Sequence, residues 1–302
     1  MSARGWLLFS TMCVVWGIPY LLIKVAVEDL SPAMLVLGRT AIAAAILLPI
    51  AAVRKELRPL VPYWRPLVAF AAIEIAIPWV LLGDAEIELS SSLTGLLVAA
   101  VPLVAVLIAR TSGERERFGV LSMVGLALGV GGVAAIVGVN LEGASAVPIA
   151  EVIVVAVCYA VGPAILQRWL TRVPALGVIA ASLALTAILY LPIAAFSVPA
   201  ELPSAEALGS VIALAVACTA LAFLVFFALI AEIGPVRATV ITYVNPAVAA
   251  VLGVAILDET FTLAMGVGFG LVLAGSVLAT RSAPVSRATL DPAYTGSESG
   301  VR

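Results

Sequence analysis

Long apolar runs, each about the length of a bilayer-spanning helix, occupy most of this 302-residue chain. A helix needs roughly 20 apolar residues to cross the hydrocarbon core of a membrane. The runs are continuous and rich in Ala, Leu and Val, as in 41–52 and 120–139. A membrane β-barrel would instead show alternating segments of roughly 10 residues. The pattern therefore predicts an all-α membrane protein.

The composition excludes several other classes of protein. Hydrophobic residues make up 63% of the chain and charged residues 11%, with a mean hydropathy of +1.21. Soluble domains carry about 25% charged residues, so this chain has too little polar surface for a water-soluble globule. The net charge of −2 gives no basic surface for nucleic acid. Histidine is absent, and Cys13, Cys158 and Cys218 lie inside apolar runs, so we expect no metal site and no cofactor.

Turn-forming residues divide the apolar runs into ten predicted spans. Their approximate limits are 5–27, 32–52, 65–84, 90–110, 118–139, 148–170, 174–197, 207–230, 235–257 and 262–281. The remaining tail, residues 282–302, is polar and rich in Ser, Pro and Gly, and we expect it to be disordered and cytoplasmic.

The basic residues predict the orientation of the chain in the membrane. With ten spans and a cytoplasmic N-terminus, fourteen of the sixteen basic residues fall on the cytoplasmic side. The other two are Lys24, at a helix end on the opposite side, and Arg39, within span 2. Cytoplasmic loops of membrane proteins carry an excess of Lys and Arg. We therefore expect the protein to lie in the inner membrane of a cell, with both of its termini in the cytoplasm.

The chain repeats itself at an offset near 144 residues. At this offset Pro19 matches Pro163, Lys24 matches Arg168, Glu88 matches Glu232 and Pro102 matches Pro246. Each copy contains five spans, and because five is odd, the second copy must enter the membrane inverted. The repeat predicts a 5+5 inverted-topology bundle, with one half at 1–140 and the other at 148–281.

Several short motifs resemble the EamA-type branch of the drug/metabolite transporter superfamily. The resemblance covers about residues 6–281 and is carried by Trp16-Gly17, Lys24, Pro32, Arg39, Pro102, Gly113-Glu114, Gly234-Pro235, Asn245-Pro246 and Asp258-Glu259. It implies a bundle of ten helices that moves small metabolites across the membrane by alternating access. The chain departs from the family pattern at Ala160-Val161, at Leu183 and at the intramembrane Glu74.

Glu74 is the most informative single residue, since it lies near the middle of span 3. A charged group at that depth costs roughly 2.5–3.5 kcal/mol. Two hypotheses follow: Glu74 carries a coupling proton or pairs with a cationic group of a substrate, or it is a structural hydrogen-bonding acid. Arg39, at a similar depth in antiparallel span 2, is within reach of Glu74 by the helical rise, and either pairs with it or bonds helix-end carbonyls.

Aromatic and polar residues occur at interior positions of several spans. We expect these to line a substrate cavity together with Glu74, the alternative being anchoring at the membrane interface. They are Trp16, Tyr20, Trp79, Tyr159, Tyr243 and Asn245.

Four intramembrane prolines form two repeat-matched pairs, Pro19 with Pro163 and Pro102 with Pro246. Proline removes a helix hydrogen bond, and helix breaks at equivalent positions of two halves commonly mark a transport site. We expect them to act as hinges, the alternative being kinks that packing tolerates.

Taken with the resemblance, these features predict a secondary transporter, one that exports small organic metabolites such as amino acids. A passive channel and a membrane-embedded enzyme are the alternatives. The expected partners are a small-molecule substrate, the lipid bilayer and, if Glu74 carries a coupling ion, protons.

Overall fold

The computed structural model describes residues 1–111, 120–140 and 145–280. These residues form α-helices joined by short turns, and no strand occurs among them. Within these ranges, nine helical segments are long and apolar enough to cross a membrane, and a tenth apolar helix, Ile241–Leu257, is shorter. The prediction of an all-α membrane protein is confirmed.

The first five spans have these limits. Span 1 comprises helices Ala3–Val15 and Pro19–Ala26, and span 2 is Pro32–Val53. Span 3 follows a 3₁₀ turn, Arg58–Tyr63, and comprises Trp64–Phe70, a π-helical turn Ala71–Ala76, and Ile77–Glu88. Span 4 comprises Ser91–Val98 and Val101–Thr111, and span 5 is Val120–Asn140.

The last five spans follow a similar plan. Span 6 is Ala146–Trp169 and span 7 is Ala175–Ala195. Span 8 comprises Ala205–Ala215, a π-helical turn Val216–Leu221, and Ala222–Ile233. Span 9 comprises Pro235–Ala238 and Ile241–Leu257, and span 10 is Leu263–Thr280. The tail predicted at 282–302 lies outside the described residues.

Local sequence explains where several helices begin. Ser31, Ser90, Ser145 and Ser204 precede helices, and each side-chain oxygen accepts a backbone N–H from the first turn. Such caps satisfy donors that have no partner within the helix. Span 3 differs from the sequence prediction, because its helix continues to Glu88 instead of ending near residue 84. Asp84 and Glu86 therefore belong to the final turns of a helix.

The helices of the two halves of the chain pack against one another. Span 2 contacts span 7, span 4 contacts span 9, and span 5 contacts span 10. Span 3 contacts span 6, and span 8 contacts spans 1 and 2. The apolar core, which includes Leu47, Ile75 and Leu183, is thus shared between residues 1–140 and 148–281.

Polar contacts join the helix ends in two groups. At the end opposite the N-terminus, Ser31 Oγ lies 2.8 Å from Ser197 Oγ, and the N–H of Ser204 donates to Asp29 Oδ2 at 2.8 Å. Hydrogen bonds from the Ser204 hydroxyl and N–H lower the pKa of Asp29. At the N-terminal end, Arg4 lies 3.9 Å from Glu232. Both groups join residues that are distant in sequence.

Candidate functional site

A cluster of polar and aromatic side chains lies where spans 2, 3, 6 and 8 meet. At its centre, the guanidinium carbon of Arg39 lies 3.5 Å from the ring centroid of Trp79. The Nε of Arg39 donates a hydrogen bond to Thr219 Oγ1 at 3.0 Å. Arg39 is 7% exposed, Trp79 is also 7% exposed and Thr219 is fully buried. We call Arg39, Trp79, Tyr159, Glu74 and Thr219 the central cluster.

Tyr159 lies within electrostatic range of the two charged residues of the central cluster. Its phenol interacts electrostatically with Glu74 and with Arg39, and its hydroxyl lies close to the Trp79 indole. Tyr20 of span 1 interacts electrostatically with both Tyr159 and Arg39. Tyr159 keeps partial exposure although it packs against two apolar core clusters. Four members of the central cluster, Arg39, Glu74, Trp79 and Tyr159, are thus residues predicted from the sequence, and the predicted Tyr20 interacts with the cluster from span 1.

Glu74 occupies a π-helical turn that packs against span 6. Its Oε2 is buried and has no hydrogen-bond partner among the described residues. A Cβ placed on Gly162 would overlap this carboxylate, so glycine at position 162 permits the approach of Glu74 to span 6. A buried polar atom without a partner is costly, and such atoms are commonly retained where a ligand or a proton binds.

Arg39 and Glu74 do not form an ion pair with each other. Within the described ranges, the ion pair closer than 4 Å joins Arg4 to Glu232. Arg39 instead faces Trp79 and Thr219, while Glu74 faces Gly162. Both interact electrostatically with Tyr159, so a cation and an acid lie in the same region without forming an ion pair.

Two other predicted cavity residues, Trp16 and Asn245, lie in a second contact region, between spans 1, 8 and 9. Trp16 packs against Phe226 with ring centroids 4.7 Å apart. Asn245, with its amide assigned from its hydrogen-bond partners, donates to the carbonyl oxygens of Cys13 at 3.0 Å and Ile241 at 2.9 Å. Tyr243 is partly exposed on the same helix, but at 100° per residue it lies about 200° around the axis from Asn245.

The four predicted hinge prolines fall into two structural types. Pro19 is the first residue of the second helix of span 1, and Pro102 is the second residue of the second helix of span 4, which follows a break at Ala99-Ala100. Their repeat partners Pro163 and Pro246 lie inside continuous helices. A break in a helix therefore occurs at only one member of each pair.

Sequence reasoning missed Thr219 and Glu86. Thr219 Oγ1 donates to the carbonyl of Leu214, five residues earlier, within the π-helical turn of span 8. Glu86 is fully buried, and neither carboxylate oxygen has a partner in the described part of the chain. Nearby, Lys24 Nζ donates to the carbonyl oxygens of Glu86 at 2.6 Å and Leu89 at 3.0 Å. In the sequence, two acids close together, Asp84 and Glu86, suggest a solvated loop between spans 3 and 4, which is why the burial of Glu86 was not predicted.

Glu259 joins the second half of the chain to span 4. Its carboxylate accepts hydrogen bonds from the backbone N–H groups of Ser91 at 2.7 Å and Ser92 at 2.9 Å. This is the favourable position for an anion at a helix N-terminus. The corresponding Glu114 of the first half lies outside the described residues.

The described residues contain no group of three or more Cys, Asp or Glu side chains arranged to hold a metal ion. A surface hollow of about 310 Å³ lies at the end of span 2, lined by Pro49, Ile50, Val53 and Arg54. These residues begin ten positions after Arg39, about 15 Å along the helix, so this hollow is separate from the central cluster.

A bundle of apolar helices with a polar cluster buried at the contact of its two halves is typical of membrane transporters. A family model described as the EamA-like transporter family matches the chain twice, at residues 3–138 and 148–281. The chain belongs to the EamA-like transporter family. Family and fold indicate a membrane transporter and not an enzyme.

Curated relatives agree with this assignment. The chain is 28% identical over 279 residues to a protein of Escherichia coli K12 named "Uncharacterized inner membrane transporter YedA", covering 88% of this chain and 87% of that protein. The protein of the same name from Escherichia coli O157:H7 matches equally well. These relatives and the apolar helices support a multi-pass location in the inner membrane.

One crystal structure, described only as that of a protein, superposes on this chain with a TM-score of 0.64. The match covers 93% of this chain and 97% of the other, at 20% sequence identity. At that identity the two proteins share the fold.

Proposed function

We propose that this transporter exports small organic metabolites such as amino acids, and that substrate binds at the central cluster between the two halves. The observation that supports this most is that Arg39 and Glu74 both interact electrostatically with Tyr159 and form no ion pair with each other. A buried cation and a buried acid that are not paired with each other suit a small substrate that carries both an acidic and a basic group. Aromatic walls from Trp79 and Tyr159 would enclose its apolar part.

Alternating access by two inverted five-span halves is the second part of the proposal. Its support comes from π-helical turns at Ala71–Ala76 and Val216–Leu221, which begin 145 residues apart and thus near the repeat offset. Spans 2, 4 and 5 also pack against spans 7, 9 and 10, their counterparts in the repeat. Rocking of one half against the other would expose the cluster to each side in turn.

The distribution of basic residues supports cytoplasmic placement of both termini. Arg4, Arg54, Lys55 and Arg58 all lie at helix ends that this orientation assigns to the cytoplasm, as the excess of positive charge on that side requires. A membrane-impermeant thiol reagent applied to intact cells should label a cysteine introduced at Ser204 and leave one introduced at Ser2 unlabelled. The reverse pattern would contradict the orientation.

The direct test is transport into and out of proteoliposomes, measured against a panel of metabolites with and without a pH gradient. We expect saturable flux for at least one amino acid. Saturation distinguishes a carrier from a passive channel, whose flux would rise linearly with concentration. Absence of flux for the whole panel would contradict the proposal.

Glu74→Gln tests whether Glu74 carries a coupling proton. The amide keeps the shape of the side chain and removes its ionisation, so we expect substrate flux in the variant to lose its response to the pH gradient. Glu88→Gln, an exposed change on the same span, is the control and should keep that response. Unchanged pH dependence in Glu74→Gln would exclude the proton role and leave binding of a substrate amine or a structural hydrogen bond as the alternatives for Glu74.

A further inference from the structure

Arg39 is a buried cation whose surroundings hold it in one orientation. The aromatic face of Trp79 covers one side of the guanidinium, with its carbon 3.5 Å from the ring centroid. Thr219 Oγ1 accepts the hydrogen bond from Nε at 3.0 Å. The same hydroxyl donates to the carbonyl of Leu214 at 2.8 Å, which fixes the direction of its lone pairs. Residues of both halves of the chain thus position this one side chain.

The far edge of the guanidinium, formed by the two terminal Nη nitrogens, has no hydrogen-bond partner among the described residues. The ionisable groups that interact with Arg39 are Tyr159, Cys218 and Tyr20, and phenols and thiols are ordinarily uncharged at neutral pH. Burying a charge without a counter-ion is strongly unfavourable. An anion at the Nη edge would supply both the missing hydrogen bonds and the missing charge.

We propose that the Nη edge of Arg39 binds the carboxylate of the transported substrate, with Thr219 and Trp79 as positioning residues. The proposal rests on the proposed transport function and identifies the substrate as a small organic acid, amino acids included. Two parallel N–H groups match the two oxygens of a carboxylate. Stacking on Trp79 does not cover this in-plane edge, because the ring lies over the face of the guanidinium.

Among the described residues of the second half, no cation occupies the position equivalent to Arg39. The position that corresponds to Arg39 in the repeat is Leu183, which is fully buried in the apolar core. The π-helical turns differ as well, since Glu74 in the first corresponds to Thr219 in the second at an offset of 145. The site thus contains one cation, Arg39, and one nearby acid, Glu74. This composition suits a ligand with a single carboxylate better than a multiply charged anion, which would need further cations.

The test uses full-length protein in proteoliposomes and a radiolabelled mixture of L-amino acids. For the wild type, unlabelled amino acids should compete with uptake about ten- to a hundredfold more strongly than their primary amides, because the amide loses a charge-assisted hydrogen-bond pair. Arg39→Gln should lose this preference. Arg39→Lys should retain part of it, because the charge remains and the paired geometry is lost.

Thr219→Val separates positioning from a purely structural role. Removing the acceptor of the Nε hydrogen bond should raise KM for amino acids and leave kcat and competition by amides nearly unchanged. Thr40→Val is the matched control: Thr40 is adjacent to Arg39 and fully buried, and its hydroxyl donates to the Val36 carbonyl at 2.7 Å. We expect Thr40→Val to leave KM unchanged.

Two results would overturn the inference while the transport function stands: equal competition by amino acids and their amides in the wild type, or equal KM values for Thr219→Val and Thr40→Val. If Arg39→Gln does not yield folded protein, the comparison of KM between Thr219→Val and Thr40→Val still tests the inference. Absence of any saturable uptake by the wild type would overturn the transport function, and the inference with it.

Discussion

At the residue scale, the depth of a side chain along its helix could be predicted from the sequence, but the direction in which it points around the helix axis could not. An acid in the middle of an apolar run is visible without a structure, and so is an arginine at similar depth in the next span. The rise per residue sets their heights. The π-helical turn at Ala71–Ala76 adds a residue to the turn that holds Glu74. The side chains then face different neighbours, Gly162 for Glu74 and Thr219 for Arg39.

Thr219 illustrates a second limit at this scale. A threonine in an apolar helix usually bonds a carbonyl in its own preceding turn, as Thr40 and Thr186 do here. Thr219 does so as well, but it also accepts a hydrogen bond from Arg39, 180 residues away. Only the packing of span 8 against span 2 reveals that second bond.

The close approach of Glu74 to span 6 depends on the absence of a side chain at position 162. Gly162→Ala places a methyl group on the carboxylate, so we expect reduced transport and a loss of about 1–3 kcal/mol in stability, as for other overpacked sites. Gly209→Ala is the control, because nothing lies within 4 Å of its Cβ position. Thermal unfolding in detergent and uptake in proteoliposomes measure the two effects. Wild-type behaviour of Gly162→Ala would show that Glu74 can move aside freely.

At the scale of helices, the number and approximate limits of the spans follow from hydropathy, whereas their internal breaks do not. Pro19 and Pro102 lie in the first turn of new helices, whereas Pro163 and Pro246 lie inside continuous helices. A proline frees one carbonyl, and local packing decides whether the helix then breaks. Span 8 has a π-helical turn that contains no proline. No residue type in its sequence therefore predicted this turn.

Spans 5 and 10 meet through backbone contacts at glycines. A Cβ on Gly275 would lie 2.5 Å from the Gly129 nitrogen and 2.6 Å from the Gly125 carbonyl oxygen. A side chain there must push the helices apart, since backbone atoms cannot rotate away. Gly270, on the same helix, has nothing within 4 Å of its Cβ position.

We therefore expect Gly275→Ala to destabilise the protein by about 1–3 kcal/mol. Gly270→Ala should be neutral or stabilising by up to about 1 kcal/mol, because alanine restricts the unfolded chain and is the better helix former. The measurement is the midpoint of thermal unfolding of the two purified variants in the same detergent. Equal midpoints would mean that spans 5 and 10 separate without cost.

At the scale of the whole molecule, contacts between distant loops agree with ten crossings. The loops after spans 1, 3, 7 and 9 contact one another through pairs such as Ser31 with Ser197 and Ser91 with Glu259. The opposite end is joined by Arg4 with Glu232 and by the Gly177 N–H, which donates to Glu56 at 3.1 Å. Contacts at both ends of the bundle connect the first half with the second. Relative movement of the halves would therefore have to break the contacts at one end or at the other.

Ser31 and Ser197 allow this movement to be tested directly. Their hydroxyl oxygens lie 2.8 Å apart, close enough for cysteines at both positions to form a disulfide with little backbone movement. The native cysteines at 13, 158 and 218 are buried and would first be replaced by alanine. If transport requires spans 2 and 7 to separate at this end, oxidation of the Ser31→Cys, Ser197→Cys variant should reduce uptake to background, and a reducing agent should restore it.

The single variant Ser31→Cys, treated with the same oxidant, controls for damage by the reagent and should keep its uptake. The extent of cross-linking is measured by mass spectrometry of the reconstituted protein, so that flux can be compared at known occupancy. A disulfide holds the chain more firmly than the serine hydrogen bond it replaces, because breaking it needs a chemical reductant. Undiminished uptake with the cross-link complete would therefore contradict a rocking movement at this end, and would require substrate to reach the central cluster without separation of spans 2 and 7.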